Sequence, residues 1–180
     1  MTEPAPPTAP PTAQGPAQGP APVVHVSVQA ADFDIGAEIE RLTAGRADIG
    51  AVATFTGLVR DHAGGVPISG MELEHYPGMT EKELARIEAE ANARWPLDAT
   101  LIIHRYGRLE PGDQIVLVAA ASAHREAAFE ACHFLIDFLK TKAPFWKLED
   151  TPGGGQWVDA RDSDDAAAAR WVQSPEKAAE

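Results

Sequence analysis

The sequence predicts an α+β fold with a largely antiparallel sheet. Segments with the two-residue period of strands alternate with segments of helical period, in the order βαββαββαββα. Neighbouring strand segments are joined by short turns rich in Gly, Pro and Asp, which is typical of hairpins. Apolar residues make up 44% of the 180 residues, which is enough to form a packed core.

The first elements are a strand, a short helix and two further strands. Residues 23–28 alternate as a strand does, and residues 34–45 place their apolar side chains on one helical face. The β-branched, apolar segment 49–60 predicts a central strand, which a glycine-containing loop at 61–67 follows. Because segment 68–76 also alternates, we expect it to pair with the strand that precedes the loop.

The middle of the chain predicts a helix followed by two strands. Thr80 and Glu83 have the spacing of a capping box, and Pro96 would end the helix that they begin. Residues 99–109 and 114–122 are apolar and rich in β-branched residues, which indicates strands. The turn sequence Glu-Pro-Gly-Asp lies between them, so we expect a tight turn to join the two strands.

The last third predicts a long helix, a hairpin and a closing helix. Ser122 is the expected N-cap of a helix that runs through about Lys142 and that a proline ends. Residues 145–150 and 156–160 flank a Thr-Pro-Gly-Gly-Gly turn, which indicates a hairpin. A short helix near 163–172 completes the predicted fold.

We expect one folded domain, from residue 23 to residue 172. Residues 1–22 hold eight of the 15 prolines and have no apolar periodicity, so the sequence predicts a disordered tail rich in Pro and Ala. Residues 173–180 are expected to be a frayed C-terminus.

Net charge and cysteine content exclude several classes of protein. Asp and Glu number 27 against 15 Lys and Arg, a formal net charge of -12, which argues against a general binder of nucleic acids or anionic membranes. One cysteine excludes a disulfide framework and a cysteine-based zinc or iron–sulfur site. The longest apolar run, 115–121, is too short to cross a bilayer, and the N-terminus lacks a signal-peptide pattern. We therefore expect a cytoplasmic protein.

One stretch departs from the overall acidity. Residues 104–147 carry six basic and five acidic residues, so an anionic ligand is expected there. His124 and Arg125 fall in the first turn of the predicted helix, where cations oppose the helix dipole unless an anion is near; an exposed pair without a partner is the alternative. Arg60 ends a strand before the glycine loop, which suits a ligand contact, although a solvated arginine is the alternative.

Two lysines are further candidates. Lys140 lies on a polar helical stripe, where pairing with Asp137 would be the ordinary alternative. Lys147 follows the apolar run Pro144–Trp146, which could desolvate its ammonium and make it a base or nucleophile; an ordinary strand lysine is the alternative. Cys132 lies on the apolar stripe of the helix and is expected to be a buried, inert thiol. The histidines lack metal-ligand spacing, so no metal site is predicted.

Six strings together resemble the large (catalytic) subunit of molybdopterin synthase. They occur in the order found in that family and cover roughly residues 49–171. The strings are FTGLVRDH at 55–62, LEHYPGMTEKEL at 73–84, HRYGRLEPGD at 104–113, SAHREAAFEA at 122–131, LKTKAPFWK at 139–147 and WVDARDSD at 157–164.

The resemblance implies a sulfurtransferase of molybdenum-cofactor biosynthesis. It implies that cyclic pyranopterin monophosphate receives two sulfurs and becomes molybdopterin, and that the sulfur comes from the C-terminal thiocarboxylate of a small ubiquitin-like partner, so that no cofactor is needed. The implied fold is α/β-hammerhead-like with an added antiparallel β subdomain. The implied assembly is a homodimer within a heterotetramer.

The resemblance also assigns roles to individual residues. Lys140 and Lys147 match the catalytic lysines, and Arg60, His124 and Arg125 match substrate-binding residues. Four neighbours match backbone positions of the pocket: Leu58, Val59, Leu148 and Glu149.

The predicted long helix constrains this site. In one continuous helix, His124 and Lys140 would be separated by 16 residues, roughly 24 Å, which is too far for one pterin phosphate to touch both. Either the helix breaks or each site takes His124 and Arg125 from one protomer and Lys140 and Lys147 from its partner. We expect the second arrangement, because the apolar stripe around Cys132 indicates an unbroken helix.

Two other functions remain as alternatives at this point. A non-catalytic assembly module of the same fold would keep the partner surface without the chemistry, although the retained lysines argue against it. A small phosphate-ester hydrolase would need a metal cluster or an activated nucleophile, and neither is visible in the sequence.

Overall fold

The computed structural model describes residues 22–158 and 162–171, the side chains of 162–165 excepted. The predicted tail, apart from its last residue, and the predicted frayed C-terminus lie outside the described residues. The helices and strands are β1 (Val23–Gln29), α1 (Ile35–Thr43), β2 (Ala51–Leu58), β3 (His62–Ala63), β4 (Val66–Pro67), β5 (Gly70–His75), α2 (Met79–Arg94), β6 (Ala99–Arg105), β7 (Gly107–Leu109), β8 (Gln114–Ser122), α3 (Arg125–Lys142), β9 (Phe145–Thr151), β10 (Gly154–Val158) and α4 (Asp162–Ala169).

The strands form two four-stranded sheets, which confirms the α+β prediction. The first sheet has the order β1-β6-β8-β2, with β1 and β6 parallel and the other pairs antiparallel. The second sheet has the order β10-β9-β5-β7 and is antiparallel throughout. Strands β3 and β4 form a small hairpin within the loop predicted at 61–67.

The expected partner of segment 68–76 was wrong. Strand β5 pairs with β7 and β9 of the second sheet rather than with β2. Gly107 explains how the second sheet can form, because its φ of 86° lets the chain leave β6 and enter β7. The segment predicted as one strand at 99–109 is therefore two strands, one in each sheet.

Helices cover both faces of the first sheet. Helices α2 and α3 pack on one face, where Leu84, Ile87, Phe134 and Leu135 are fully buried. The aliphatic side chains of α1 pack on the other face. A third, smaller cluster buries one face of the second sheet, and its members are Val59, Met71, Leu73 and Leu109. These packed layers hold the strand ends and helix ends that carry the candidate site residues.

Both predicted helix caps differ from the observed ones. Helix α2 begins two residues earlier than expected, with Gly78 as its N-cap, and the Glu81 carboxylate accepts a hydrogen bond from the N–H of Gly78 at 2.6 Å. Thr80 instead lies inside the helix. Its hydroxyl accepts a hydrogen bond from the Tyr76 N–H at 3.1 Å and donates one to the Pro144 carbonyl at 3.3 Å.

At the start of α3 the N-cap is His124, not Ser122, and the His124 side chain makes no capping hydrogen bond. The Ser122 hydroxyl donates to the Pro96 carbonyl at 2.8 Å, so it ties the end of β8 to the loop after α2. The first turn of α3 therefore lacks a side-chain cap.

Candidate functional site

Lys140 lies at the C-terminal end of α3 and is solvent-exposed. The Asp137 carboxylate, which the sequence offered as its ordinary partner, is buried and pairs with Arg170 at 2.5 Å. Asp137 also accepts a hydrogen bond from the Trp171 indole at 2.8 Å. Within the described residues Lys140 has no ion-pair partner, so its ammonium is available to an anion.

Lys147 lies on the face of β9 that turns toward the small core of the second sheet. It is directly opposite Leu73 in the β5–β9 register, and Leu73 is 5% exposed. Trp146 is on the other face of the strand and is 49% exposed. The predicted apolar clamp is therefore wrong in one respect, because Trp146 points away from the lysine and Leu73 lies beside it.

Glu149 is the nearest charged partner of Lys147. The Lys147 Nζ and the Glu149 Oε1 are 2.6 Å apart, and the two side chains are 30% and 11% exposed. The pair is two residues apart on one strand, so both side chains share a face. The resemblance offered Glu149 only as a backbone position; the opposite charges at i and i+2 were the signal for its side-chain role. Leu148 is on the other face, against Gly155 of β10.

Arg60 follows β2 and is exposed. The residue before it, Val59, is 3% exposed and packs with Leu73 and Leu109 of the second sheet. Its N–H donates to the Asp113 carbonyl at 2.9 Å. The buried Val59 thus anchors Arg60 to the same small core that Lys147 borders, while Leu58 on its other side is 54% exposed.

His124 and Arg125 lie at the opposite end of α3 from Lys140. Both side chains are exposed, and no ion pair or side-chain hydrogen bond involves them in the part of the chain that the structure describes. The helix is continuous over Arg125–Lys142, so the axial separation of about 24 Å from His124 to Lys140 holds within one chain. A single protomer therefore does not bring His124 and Lys140 into one pocket.

His104 and Arg105 have structural roles. The His104 ring stacks on Phe145 at a centroid distance of 3.7 Å, and burial lowers the pKa of His104 to about 4. Arg105 donates hydrogen bonds to the backbone carbonyls of Ala30 and Gln114. The stacked ring supports Phe145, which lies two residues before Lys147.

Cys132 is buried on α3, as expected, and burial raises the pKa of its thiol to about 11. Among the described residues, no group of three or more His, Cys, Asp or Glu side chains is arranged to hold a metal ion. No helix in the described part is long and apolar enough to cross a membrane.

Comparisons with known proteins point to one family. The family described as MoaE protein matches residues 28–142. The chain is 57% identical over 153 residues to a molybdopterin synthase catalytic subunit of Mesorhizobium japonicum. The aligned residues cover 84% of this chain and 95% of that protein.

Solved structures agree with this relationship. The MoaE protein of molybdopterin biosynthesis from Burkholderia ambifaria is 52% identical and superposes with a TM-score of 0.71, covering 85% of this chain and 99% of that one. The same fold occurs in a complex of subunits 1 and 2 of the molybdopterin-converting factor from Helicobacter pylori. That match has a TM-score of 0.61 at 20% identity and covers 77% of this chain and 91% of that one.

Proposed function

This chain belongs to the MoaE protein family, and from that premise we propose that it is the catalytic subunit of a molybdopterin synthase. The reaction converts cyclic pyranopterin monophosphate to molybdopterin by inserting two sulfurs. The observation that carries the proposal is Lys147, an ammonium that borders a buried apolar core and is oriented by the Glu149 carboxylate.

The sulfur donor in this proposal is a small ubiquitin-like subunit whose C-terminus is a thiocarboxylate. Its support is the likeness to molybdopterin synthase catalytic subunits and the occurrence of this fold in a two-subunit complex. The buried Cys132 is unsuited to carry sulfur itself, since its raised pKa disfavours the thiolate. With sulfur supplied by the partner, the reaction needs no cofactor. The cytoplasmic location expected from the sequence stays a prediction.

Two anions, the pterin phosphate and the thiocarboxylate tail, must meet in the site. In the proposed arrangement Arg60, Arg125 and His124 hold the phosphate through charge-assisted hydrogen bonds. Lys140 and Lys147 neutralise the incoming tail. They also stabilise the oxyanion that forms during sulfur release. The thiocarboxylate sulfur first bonds to a side-chain carbon of the pterin, from which an oxygen substituent leaves, and this gives a thioester. Water then attacks the thioester carbonyl and the carbonyl C–S bond breaks, so that the sulfur stays on the pterin as a thiolate and the partner's C-terminus leaves as a carboxylate. Backbone positions Leu58, Val59, Leu148 and Glu149 line the pocket.

The continuous α3 supports a site that two protomers share. Because about 24 Å separates His124 from Lys140 in one chain, we place His124 and Arg125 from one protomer beside Lys140 and Lys147 of its partner. The assembly is then a homodimer with a small subunit for each of its two sites.

The test is direct turnover. The full chain is incubated with a thiocarboxylated small subunit and cyclic pyranopterin monophosphate, and the dithiolene product is measured. We expect product with the wild-type chain and its loss in Lys140→Ala and Lys147→Ala, with Lys82→Ala on α2 as the exposed control. No product from the folded wild-type chain would refute the proposal and favour an assembly module, and undiminished product from both variants would place the chemistry elsewhere.

A further inference from the structure

His75 is the last residue of β5, and the proposed site makes no use of it. It belongs to the segment Glu-His-Tyr-Pro-Gly-Met-Thr-Glu at 74–81, which joins the second sheet to the start of α2. Its side chain is 11% exposed. An imidazole that is mostly buried but still reaches solvent can exchange a proton with a bound water molecule.

The strand pairing places His75 on the same face of the second sheet as Lys147. In the β5–β9 register Leu73 is opposite Lys147, and His75 is opposite Phe145. Directly opposite residues project from one face, so these four side chains are neighbours. The rings of His75 and Phe145 have their centroids 6.3 Å apart. Since Phe145 follows Lys140 by five residues and precedes Lys147 by two, His75 faces the segment that joins the two lysines.

Two neighbouring side chains orient the imidazole of His75. The Tyr106 ring packs against it at a centroid distance of 4.4 Å. The Glu81 carboxylate lies beside it, with 3.8 Å between Nε2 and Oε1, and the Gly78 N–H holds this carboxylate at 2.6 Å. The Nε2–Oε1 contact is longer than a hydrogen bond, and catalytic contacts of this kind tighten when substrate binds. A carboxylate beside Nε2 favours the tautomer with its proton there, which leaves Nδ1 as the proton acceptor.

The thioester hydrolysis of the proposed reaction needs a group that takes a proton from water. A lysine ammonium, with an ordinary pKa of about 10.4, keeps its proton at neutral pH. His104 is unsuited, because burial lowers its pKa to about 4 and its Nδ1 is 2.9 Å from the Arg105 carbonyl. An imidazole with the ordinary pKa of histidine, about 6.5, suits this task.

We propose that His75, oriented by Glu81, is the general base of the hydrolysis step. Its Nδ1 takes a proton from the water whose oxygen bonds to the thioester carbonyl carbon. The carbonyl C–S bond then breaks, so that the sulfur stays on the pterin as a thiolate. The partner's tail leaves with a carboxyl group, which loses its proton to solvent. The imidazolium also returns its proton to solvent before the second sulfur transfer.

This inference rests on the proposed function, because it assigns one step of that reaction. The first test is a single-turnover reaction of the full chain with the thiocarboxylated small subunit and cyclic pyranopterin monophosphate. His75→Gln should slow dithiolene formation by about 100-fold to 10 000-fold, the range for loss of a positioned base. The thioester between the small subunit and the pterin should accumulate, which mass spectrometry of the small subunit detects.

His25→Gln is the matched control for the histidine exchange. His25 is exposed on β1, which is at an edge of the first sheet and not in the sheet that carries His75. This variant should form product at the wild-type rate without an accumulated thioester. Circular dichroism checks that both variants fold.

Chemical rescue separates a base from a structural residue. Imidazole added to His75→Ala should restore part of the rate, and it should not restore Lys147→Ala. Glu81→Gln keeps the cap of α2, because its amide oxygen can still accept from the Gly78 N–H. It removes the orienting charge, so it should slow hydrolysis less than His75→Gln does.

The outcomes separate this assignment from the proposed function. A wild-type chain that forms product and a His75→Gln chain that forms it equally fast would overturn the assignment and leave the enzyme intact. A folded, slow His75→Gln chain without accumulated thioester, together with a His75→Ala chain that imidazole does not rescue, would give His75 a structural role and also overturn it. Neither product nor thioester from the wild-type chain would refute the proposed function, and the assignment with it.

Discussion

Glu88 is a carboxyl in the interior of α2, and its environment favours the protonated form. It is fully buried, and the Thr100 hydroxyl donates to its Oε1 at 2.5 Å. Among the described residues, no donor forms a hydrogen bond of ordinary geometry with its Oε2 or with the Oδ1 of Asn92, one turn further along the helix. The backbone N–H of His25 lies near enough to the carboxyl to lower its pKa, but this effect is smaller than that of burial. Desolvation by burial raises the pKa of Glu88 from 4.5 to about 7.

Glu88→Gln replaces this carboxyl by a neutral group of the same shape. The amide oxygen keeps the hydrogen bond from Thr100, and the amide nitrogen adds a donor where Oε2 and the Asn92 oxygen have none. A rise in pKa from 4.5 to about 7 corresponds to about 3 kcal/mol between the two protonation states. The variant should therefore be more stable than the wild type at pH values at which the Glu88 carboxyl of the folded wild type is ionised.

The direction in which the stability difference changes with pH follows from proton binding. Between pH 4.5 and about 7 the folded protein holds a proton on Glu88 that the unfolded chain has released. The stability from this group is therefore complete below pH 4.5 and is lost as pH rises through about 7. The variant minus wild-type difference in unfolding free energy should increase across this range, by about 3 kcal/mol at most.

Urea unfolding of both proteins from pH 4.5 to pH 8 measures this difference. Groups that titrate in both proteins cancel, including His104, whose pKa burial lowers to about 4. Glu40→Gln on the exposed surface of α1 is the matched control for the exchange of one carboxyl for an amide. A flat difference for Glu88→Gln, or a less stable variant at pH 8, would refute the reasoning.

Three further outcomes are expected. Thr80→Val removes the hydroxyl that joins α2 to Pro144, so it should cost about 1 to 2 kcal/mol in urea unfolding and lower kcat more than KM, with Thr80→Ser restoring both. Glu149→Gln removes the ion-pair partner of Lys147 and should slow product formation. It should lower the free energy of unfolding by only about 1 kcal/mol, because the lysine is partly exposed. Unchanged turnover would contradict the positioning role of Glu149. A thiol reagent at pH 7 should label Cys132 slowly in the folded chain and rapidly in urea, since burial raises its pKa to about 11; rapid labelling of the folded chain would contradict its burial.

The sequence predicted the order of the elements well, because their local periods determine them. It did not predict the partner of β5, since alternation tells which face a residue is on but not which strand lies beside it. The capping box was displaced because Gly78, with a φ of 81°, provides a cap that only Gly adopts readily. Asp137 was expected to be on a solvated stripe, and only the fold shows that Arg170 and Trp171 cover it.

The members of the candidate site stay a prediction, and the structure gives the position of each in the fold. The cationic residues of the second half stood out against an acidic chain, and the continuous helix already set Lys140 apart from His124. The sequence did not predict the ion pair of Lys147 with Glu149. The pairing of β9 with β5 decides which face of β9 is buried, and the sequence does not specify that pairing. In the proposed shared site these residues meet only across two chains, and no pattern within one sequence specifies such a contact.

Complementation between two inactive variants tests the shared site most directly. Lys140→Ala and His124→Ala chains are mixed in equal amounts, allowed to exchange subunits, and assayed for dithiolene product with the thiocarboxylated partner. Half of the dimers should then be mixed, and each mixed dimer has one intact pocket and one that lacks both residues, so activity should return to about a quarter of the wild-type value. If the mixed sample, with subunit exchange verified, stays as inactive as each variant alone, the two residues belong to the same chain's site and the account is contradicted.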